Sequence, residues 1–315
     1  MSSIIILIIC HLLSTFSWYK KNELKQINVT LVQPNIIPKK QITTKNVIKI
    51  LNKYLNIIKL NKIKNSLIIF PESSIPNSII NRKTILNLFK KSIKTNHNVL
   101  ITGCINNYIK NSKTYSYNSI LMITEKSHIQ HTKIIYNKYH LVPFGEYIPF
   151  SFLFKYLFKI FLNISIKSLN KGSYIQFPIS INNLYFSTSI CYEIAFGNQI
   201  RNNFIPNVNY LISISNNAWF KNSIQPWQQF QIARMRALEL GRPLLYSSNT
   251  GITAIINANG TIKNIIPQFQ EKILNGNVNS TSGITPYYKY GNIPLILIEI
   301  YFILYIIINI DFKKR

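Results

Sequence analysis

The chain has 315 residues, 47% of them hydrophobic and 13% aromatic, which excludes a disordered chain and is enough for one large domain or two medium ones. Its 36 Lys and Arg against 9 Asp and Glu give a formal charge of +27, which on its face points to nucleic acid or an anionic membrane surface. The basic residues are spread along a sequence rich in Ile, Asn, Lys, Tyr and Phe, the bias of an AT-rich coding sequence, and they carry no RNA-binding signature. They read as a solvated surface, with no nucleic-acid partner.

In chain order, residues 3–18 are almost entirely apolar and are followed by Lys20 and Lys21. There is no basic leader and no small-residue cleavage site, so residues 1–20 are predicted to form an uncleaved transmembrane helix rather than a signal peptide. Strand-like runs follow at 27–33, 66–70, 98–104, 117–123, 184–190, 210–215, 243–248 and 252–257. Helical stretches fit 44–62, 78–96 and 226–240, the last with Phe230, Ala233, Ala237 and Leu240 at helical spacing. Strands alternating with helices predict a layered α/β domain over residues 21–285. Within it, residues 150–170 interleave apolar and aromatic side chains with lysines; this composition fits a buried helix or a membrane-interface arm. Residues 292–310 are apolar again, broken by Glu299 and closed by Lys313, Lys314 and Arg315. A second span over 290–312 with a cytoplasmic basic end would place the domain between the spans outside the cytoplasm.

The three cysteines, Cys10, Cys104 and Cys191, form no CxxC pair and no disulfide or zinc pattern. Cys191 follows an apolar strand directly, with a helix predicted after it. That turn would expose a thiol near a helix N-terminus and make it easier to ionise, with the Tyr192 amide aimed at a reacting carbonyl. A buried cysteine at a strand end is the plain alternative. Glu72, in LIIFPESSIP, also stands just past an apolar strand; a partly buried carboxylate suits base work, while a turn carboxylate is equally common. Lys138 lies in YNKYHLVPFGEYIPF, eight residues before Glu146. A lysine beside a nucleophile can hold an oxyanion, although a surface lysine is the default in this chain. His128 and His131 have no ligand partners, and neither a P-loop nor a GxGxxG occurs.

PESSIP, YNKYHLVPFGEYIP and ICYE, in that order, together resemble apolipoprotein N-acyltransferases, the membrane branch of the nitrilase superfamily. Residues 216–253, NNAWFKNSIQPWQQFQIARMRALELGRPLLYSSNTGIT, are similar as well. The resemblance implies an α-β-β-α sandwich with flanking transmembrane helices, in the inner membrane, its catalytic domain on the periplasmic side. It implies a Glu72–Lys138–Cys191 triad: Cys191 attacks a phospholipid ester, typically phosphatidylethanolamine, and the acyl group passes to the N-terminal amine of a diacylglyceryl-cysteine apolipoprotein. Glu72 would be the base, Lys138 and the Tyr192 amide would hold the oxyanion, and Glu146 would support the lysine. Asn118, Tyr192 and Glu193 also match positions near the site. No metal or organic cofactor is implied, and a monomer is expected.

The chain departs from that pattern in places. One expected span precedes the domain where the family usually carries a multi-helix bundle, and residues 36–46 lack the family's tryptophan. Asn217 stands where an aspartate is common, and Tyr246 where an arginine is common. A nitrilase-type amidase, or a non-catalytic membrane protein descended from such an enzyme, is the competing reading.

Overall fold

The computed structural model describes residues 8, 11–13, 15–37, 43–60, 63–75, 82–94, 97–124, 133–150 and 168–313. Two six-stranded sheets form its centre. In the first, β1 (Lys20–Gln33), β2 (Leu67–Ile69), β3 (Val99–Lys110), β4 (Lys113–Ile123), β5 (Lys133–Asn137) and β12 (Lys272–Ser282) lie in the order β12-β1-β2-β3-β4-β5. In the second, β6 (Ile179–Ile181), β7 (Leu184–Ile190), β8 (Val208–Ser215), β9 (Leu244–Ser248), β10 (Thr253–Ile256) and β11 (Ile262–Ile266) lie in the order β11-β10-β9-β8-β7-β6. The central strands β1, β2 and β3 run parallel, as do β7, β8 and β9.

The period-2 alternation of these strands builds the layers. Leu67 and Ile69 of β2 point between the sheets with Tyr210, Ile212 and Ile214 of β8 and Leu245 of β9. Ile68 and Phe70 point the other way, into a layer closed by α1 (Thr44–Leu60) and α2 (Arg82–Lys94). In α1 the buried residues are Val47, Leu51, Tyr54 and Ile58, and in α2 they are Ile85, Leu86, Phe89 and Ile93, each set a single helical stripe. On the opposite side α3 (Gly197–Asn202) and α4 (Gln225–Leu240) cover Leu211, Leu244, Tyr246 and Ile256. The α-β-β-α order expected from the sequence is therefore present.

α4 begins with Pro226 in its first turn and ends at Gly241, whose φ of 61° is the left-handed cap that glycine adopts without strain. Arg242 follows, fully buried, and donates to the carbonyls of Pro206, Val208, Leu240, Gly241 and Gly283. Those five acceptors satisfy a guanidinium that burial draws down to about 10.

Some sequence expectations are corrected. β1 starts at Lys20, earlier than the run at 27–33, because it pairs antiparallel with β12 over Lys20–Asn22 and again over Gln26–Gln33, with a bulge between. The strands β6, β11 and β12 were not foreseen. β12 (KILNGNVNSTS) has only one well-buried face at the sheet edge, so Leu274 and Val278 stand among Asn, Gly and Ser, which do not mark a strand. The helix expected directly after Cys191 is a 3-10 turn, Cys191–Ala195, and α3 comes after it.

Half of the predicted first span at 1–20 falls outside the described residues; of the rest, residues 8, 11–13 and 15 are helical but 16–20 are not, Lys20 already opening β1, which corrects the expected end of that helix. Most of the expected interface arm at 150–170, Cys10, His128 and His131 lie outside the described residues. After α5 (Pro286–Tyr290), the final helix α6 (Ile293–Lys313) has 21 residues. Among the described residues no helix is long and apolar enough to cross a membrane. For α6 the described side chains run from Ile293 to Ile308, all exposed, while its backbone is helical to Lys313.

Candidate active site

Glu72, Lys138 and Cys191 come from three separate strand ends. Glu72 follows β2, Lys138 follows β5 and Cys191 follows β7. All three are buried, Lys138 most deeply at 1% exposed. The Lys138 ammonium lies 2.8 Å from Glu146 Oε2 and 3.2 Å from Glu72 Oε1. Burial alone would draw its pKa down, but Glu72, the Cys191 sulfur and Glu146 together raise it, so it stays an ammonium at every working pH.

Asn118 of β4 bridges the same carboxylates. Its Nδ2 donates to Glu72 Oε1 and to Glu146 Oε1, each at 2.7 Å, and its Oδ1 is buried without a partner. The other Glu72 oxygen accepts the backbone N–H of Asn216 at 2.9 Å. Glu146 also accepts the Val142 N–H at 2.8 Å, which closes its own loop under the lysine. Thus the carboxylates are held by directed donors and not by charge alone.

Cys191 has φ of 52°, a left-handed backbone that costs a non-glycine residue about 1–3 kcal/mol and marks a sharp turn at the strand end. The easily ionised thiol expected from the sequence is corrected here. Burial first, and then the Glu72 charge, push the thiol up to about 11, although Lys138, the Ser215 hydroxyl and the Asn216 N–H pull it back. A 3-10 turn whose sulfur is buried does not present the solvated helix N-terminus that the expectation assumed. The thiol therefore holds its proton at neutral pH, and the Asn216 N–H, which faces the sulfur, also binds Glu72 Oε2.

Glu193, fully buried, receives Tyr136 Oη–H and the backbone N–H groups of Tyr139 and His140 on Oε1, and the Ile190 N–H on Oε2. It ties the turn of Cys191 to the loop of Lys138. The Tyr192 side chain is half-exposed and stands edge-on to Phe196 at 5.0 Å. Tyr246 is buried on the helix side of β9, its ring 6.1 Å from that of Phe230.

Sequence reasoning passed over Asn216, Ser215 and Gln229. Gln229 lies on the buried stripe of α4 with Phe230 and Ala233, and its Nε2 is 3.7 Å from Cys191 Sγ. A glutamine on an apolar stripe is the signal that could have found it.

Two central sheets with helices outside and this Glu–Lys–Cys cluster at the strand ends are the architecture of a nitrilase-type enzyme, and the carbon-nitrogen hydrolase family model matches residues 28–286. The chain belongs to that family. More particularly, it is 42% identical over 298 residues to the apolipoprotein N-acyltransferase of Wigglesworthia glossinidia brevipalpis, covering 94% of this chain and 58% of that protein. It is 39% identical over 233 residues to the apolipoprotein N-acyltransferase of Vibrio cholerae, covering 73% of this chain and 45% of that one. The chain thus spans about half the length of these curated relatives. Saccharomyces cerevisiae Nit3, a nitrilase-superfamily member, shares the fold with a TM-score of 0.60 at 17% identity, over 82% of this chain and 93% of that one.

Proposed function

We propose that this chain is an N-acyltransferase that moves a fatty acyl group from a phospholipid, through a thioester on Cys191, to the N-terminal amine of a diacylglyceryl-cysteine apolipoprotein. The observation that carries this reading is the similarity, over 94% of the chain, to a protein of that name. The assembled Glu72, Lys138 and Cys191 supply the chemistry.

Glu72 takes the thiol proton as the sulfur attacks the ester carbonyl. The oxyanion that forms is held by the Lys138 ammonium and the Tyr192 amide. Collapse expels the lysophospholipid oxygen, which leaves with the proton from Glu72, and the thioester remains. The acceptor amine then attacks the thioester carbonyl, Glu72 takes its proton, and the Cys191 thiolate leaves and is reprotonated. Glu146 and Asn118 keep Lys138 and Glu72 in register, and Glu193 sets the turn on which Cys191 and Tyr192 sit.

The lipid reading also draws on exposed aromatic side chains close in sequence to site residues. Trp219 and Phe220 follow Asn217 after Ala218, Trp227 lies in the first turn of α4, and Phe144 lies between Lys138 and Glu146; all four are exposed. Exposed aromatic side chains suit contact with acyl chains at a bilayer. The 21 residues of α6 would reach ~31 Å, about the thickness of a hydrocarbon core. This helix and residues 1–20 are proposed to anchor a monomer in the inner membrane, with the catalytic domain on the periplasmic side.

The test is the intact mass of the detergent-purified chain after incubation with phosphatidylethanolamine. A hydroxylamine-labile acyl adduct on the wild type, absent from Cys191→Ser, is expected. A folded wild-type chain that takes no acyl group from any of several phospholipids would overturn the reading.

A further inference from the structure

We propose that Gln229 is a further catalytic residue, whose side-chain N–H donates to the Cys191 sulfur, and that Asn217 is the positioning residue that fixes its direction. The inference rests on Cys191 being the nucleophile of the proposed reaction.

The hydrogen bonds of the relay run in one sense. The Gly251 N–H donates to Ser248 Oγ at 3.1 Å, and Ser248 Oγ donates in turn to Asn217 Oδ1 at 2.7 Å. With Oδ1 accepting, Asn217 can present only Nδ2 on its other side, and this reaches Gln229 Oε1 at 2.6 Å. Gln225 supports the same sense, because its Nε2 donates to Gln229 Oε1 at 3.3 Å and its Oε1 accepts from Asn217 at 3.2 Å. Gln229 is left with Nε2 toward the sulfur, 3.7 Å away.

Every side chain in the line is buried: Ser248 at 0%, Asn217 at 2% and Gln229 at 4% exposed. Water therefore does not compete, and a reversed amide would leave buried groups unpaired. Gly251 is required because a Cβ there would collide with Asn217 Oδ1 and Ser248 Oγ.

The N–H is useful at two moments. It stabilises negative charge on sulfur as the thiol proton passes to Glu72, and again when the acceptor amine displaces sulfur from the thioester. An aspartate at 217 would accept from Gln229 Nε2, turn the amide over and aim an oxygen at the sulfur. In this chain, Asn217 and Gln229 act as a matched pair.

The test reads the thiol directly and needs no lipid, so its outcome is separate from that of the acyl-transfer reading. The full chain in detergent is alkylated with iodoacetamide across pH, and the rate is followed at the Cys191 peptide by mass spectrometry. Glu72, Lys138 and Tyr246 also act electrostatically on the sulfur, and they are the same in every variant. Gln229→Met keeps the length and apolar packing but removes the donor. Its alkylation rate at neutral pH should fall about tenfold, with the midpoint of the profile moved up, since a hydrogen bond to a charged group is worth about one such factor or more. Asn217→Asp should act in the same direction, and by less in the Gln229→Met background than in the wild type. Unfolded chains alkylate as ordinary exposed thiols, with a lower midpoint and a faster rate at neutral pH, so partial misfolding shifts the profile the opposite way and does not imitate the effect. Superimposed wild-type and Gln229→Met profiles would overturn the proposal for Gln229. An Asn217→Asp effect equal in both backgrounds would show that it acts through its charge, and would overturn the relay.

Discussion

The Glu193 carboxylate accepts the backbone N–H of Tyr139 at 2.7 Å. This single bond fastens the residue after the site lysine to the turn that begins with the site cysteine. Burial raises the Glu193 carboxyl from 4.5 to about 7, against the pull of the donors from Ile190, Tyr139 and Tyr136 and of the Lys138 charge. A carboxyl with a raised folded value holds its proton more tightly in the folded state. Its contribution to stability is full below the ordinary value of 4.5 and is lost as pH rises through about 7. Unfolding free energy measured between pH 4 and 8 should show this fall, on the order of 3 kcal/mol at most. Glu193→Gln should make the slope shallower, the remainder coming from Glu239, whose carboxyl burial also raises to about 7, and should lower stability at all pH values, because its amide N–H would face donors. An unchanged slope in Glu193→Gln would assign the pH dependence to another group.

Lys138 is the cation that Glu72 and Glu146 share. Lys138→Met leaves two buried carboxylates without it and should destabilise the chain by about 3–5 kcal/mol. Adding Glu146→Gln should restore part of that loss, a coupling that thermal or urea unfolding would reveal. Thioester formation should fall at least about a hundredfold in both variants, since neither regains the oxyanion donor. Stability equal to wild type in Lys138→Met would mean the carboxylates protonate or hydrate at little cost.

Gly103 of β3 lets the Glu72 turn pass close over the sheet. A Cβ there would lie 2.6 Å from the Ser73 nitrogen and 2.7 Å from Glu72 Cα, both backbone atoms that cannot swing aside. Gly103→Ala should still fold, at a cost of about 1–3 kcal/mol. Thioester formation should drop about ten- to a hundredfold because the base is displaced. Circular dichroism with the intact-mass assay separates the two effects. Wild-type acylation in folded Gly103→Ala would show that Glu72 tolerates the shift.

Much of the architecture was legible in the sequence because it is written in local period. Leu67 to Phe70 alternate between two apolar layers, and Val47, Leu51, Tyr54 and Ile58 keep one helical face. Local pattern put Glu72 and Cys191 just past apolar strands but left each open to a plain reading, and the resemblance of PESSIP, YNKYHLVPFGEYIP and ICYE to one family is what grouped them with Lys138. β12 was not legible: its polar residues form a strand only because β1, far off in sequence, offers a partner edge.

By itself, then, the sequence determined the layers and the strand ends, and its resemblance to one family pointed to Glu72, Lys138 and Cys191. The tertiary structure alone decided the state of those groups. Burial raised the Cys191 thiol where local context had argued for lowering it, two carboxylates from different loops converged on Lys138, and Gln229 turned its N–H toward the sulfur. Desolvation and hydrogen bonding depend on what lies across a few ångströms of space, and chain position does not encode that.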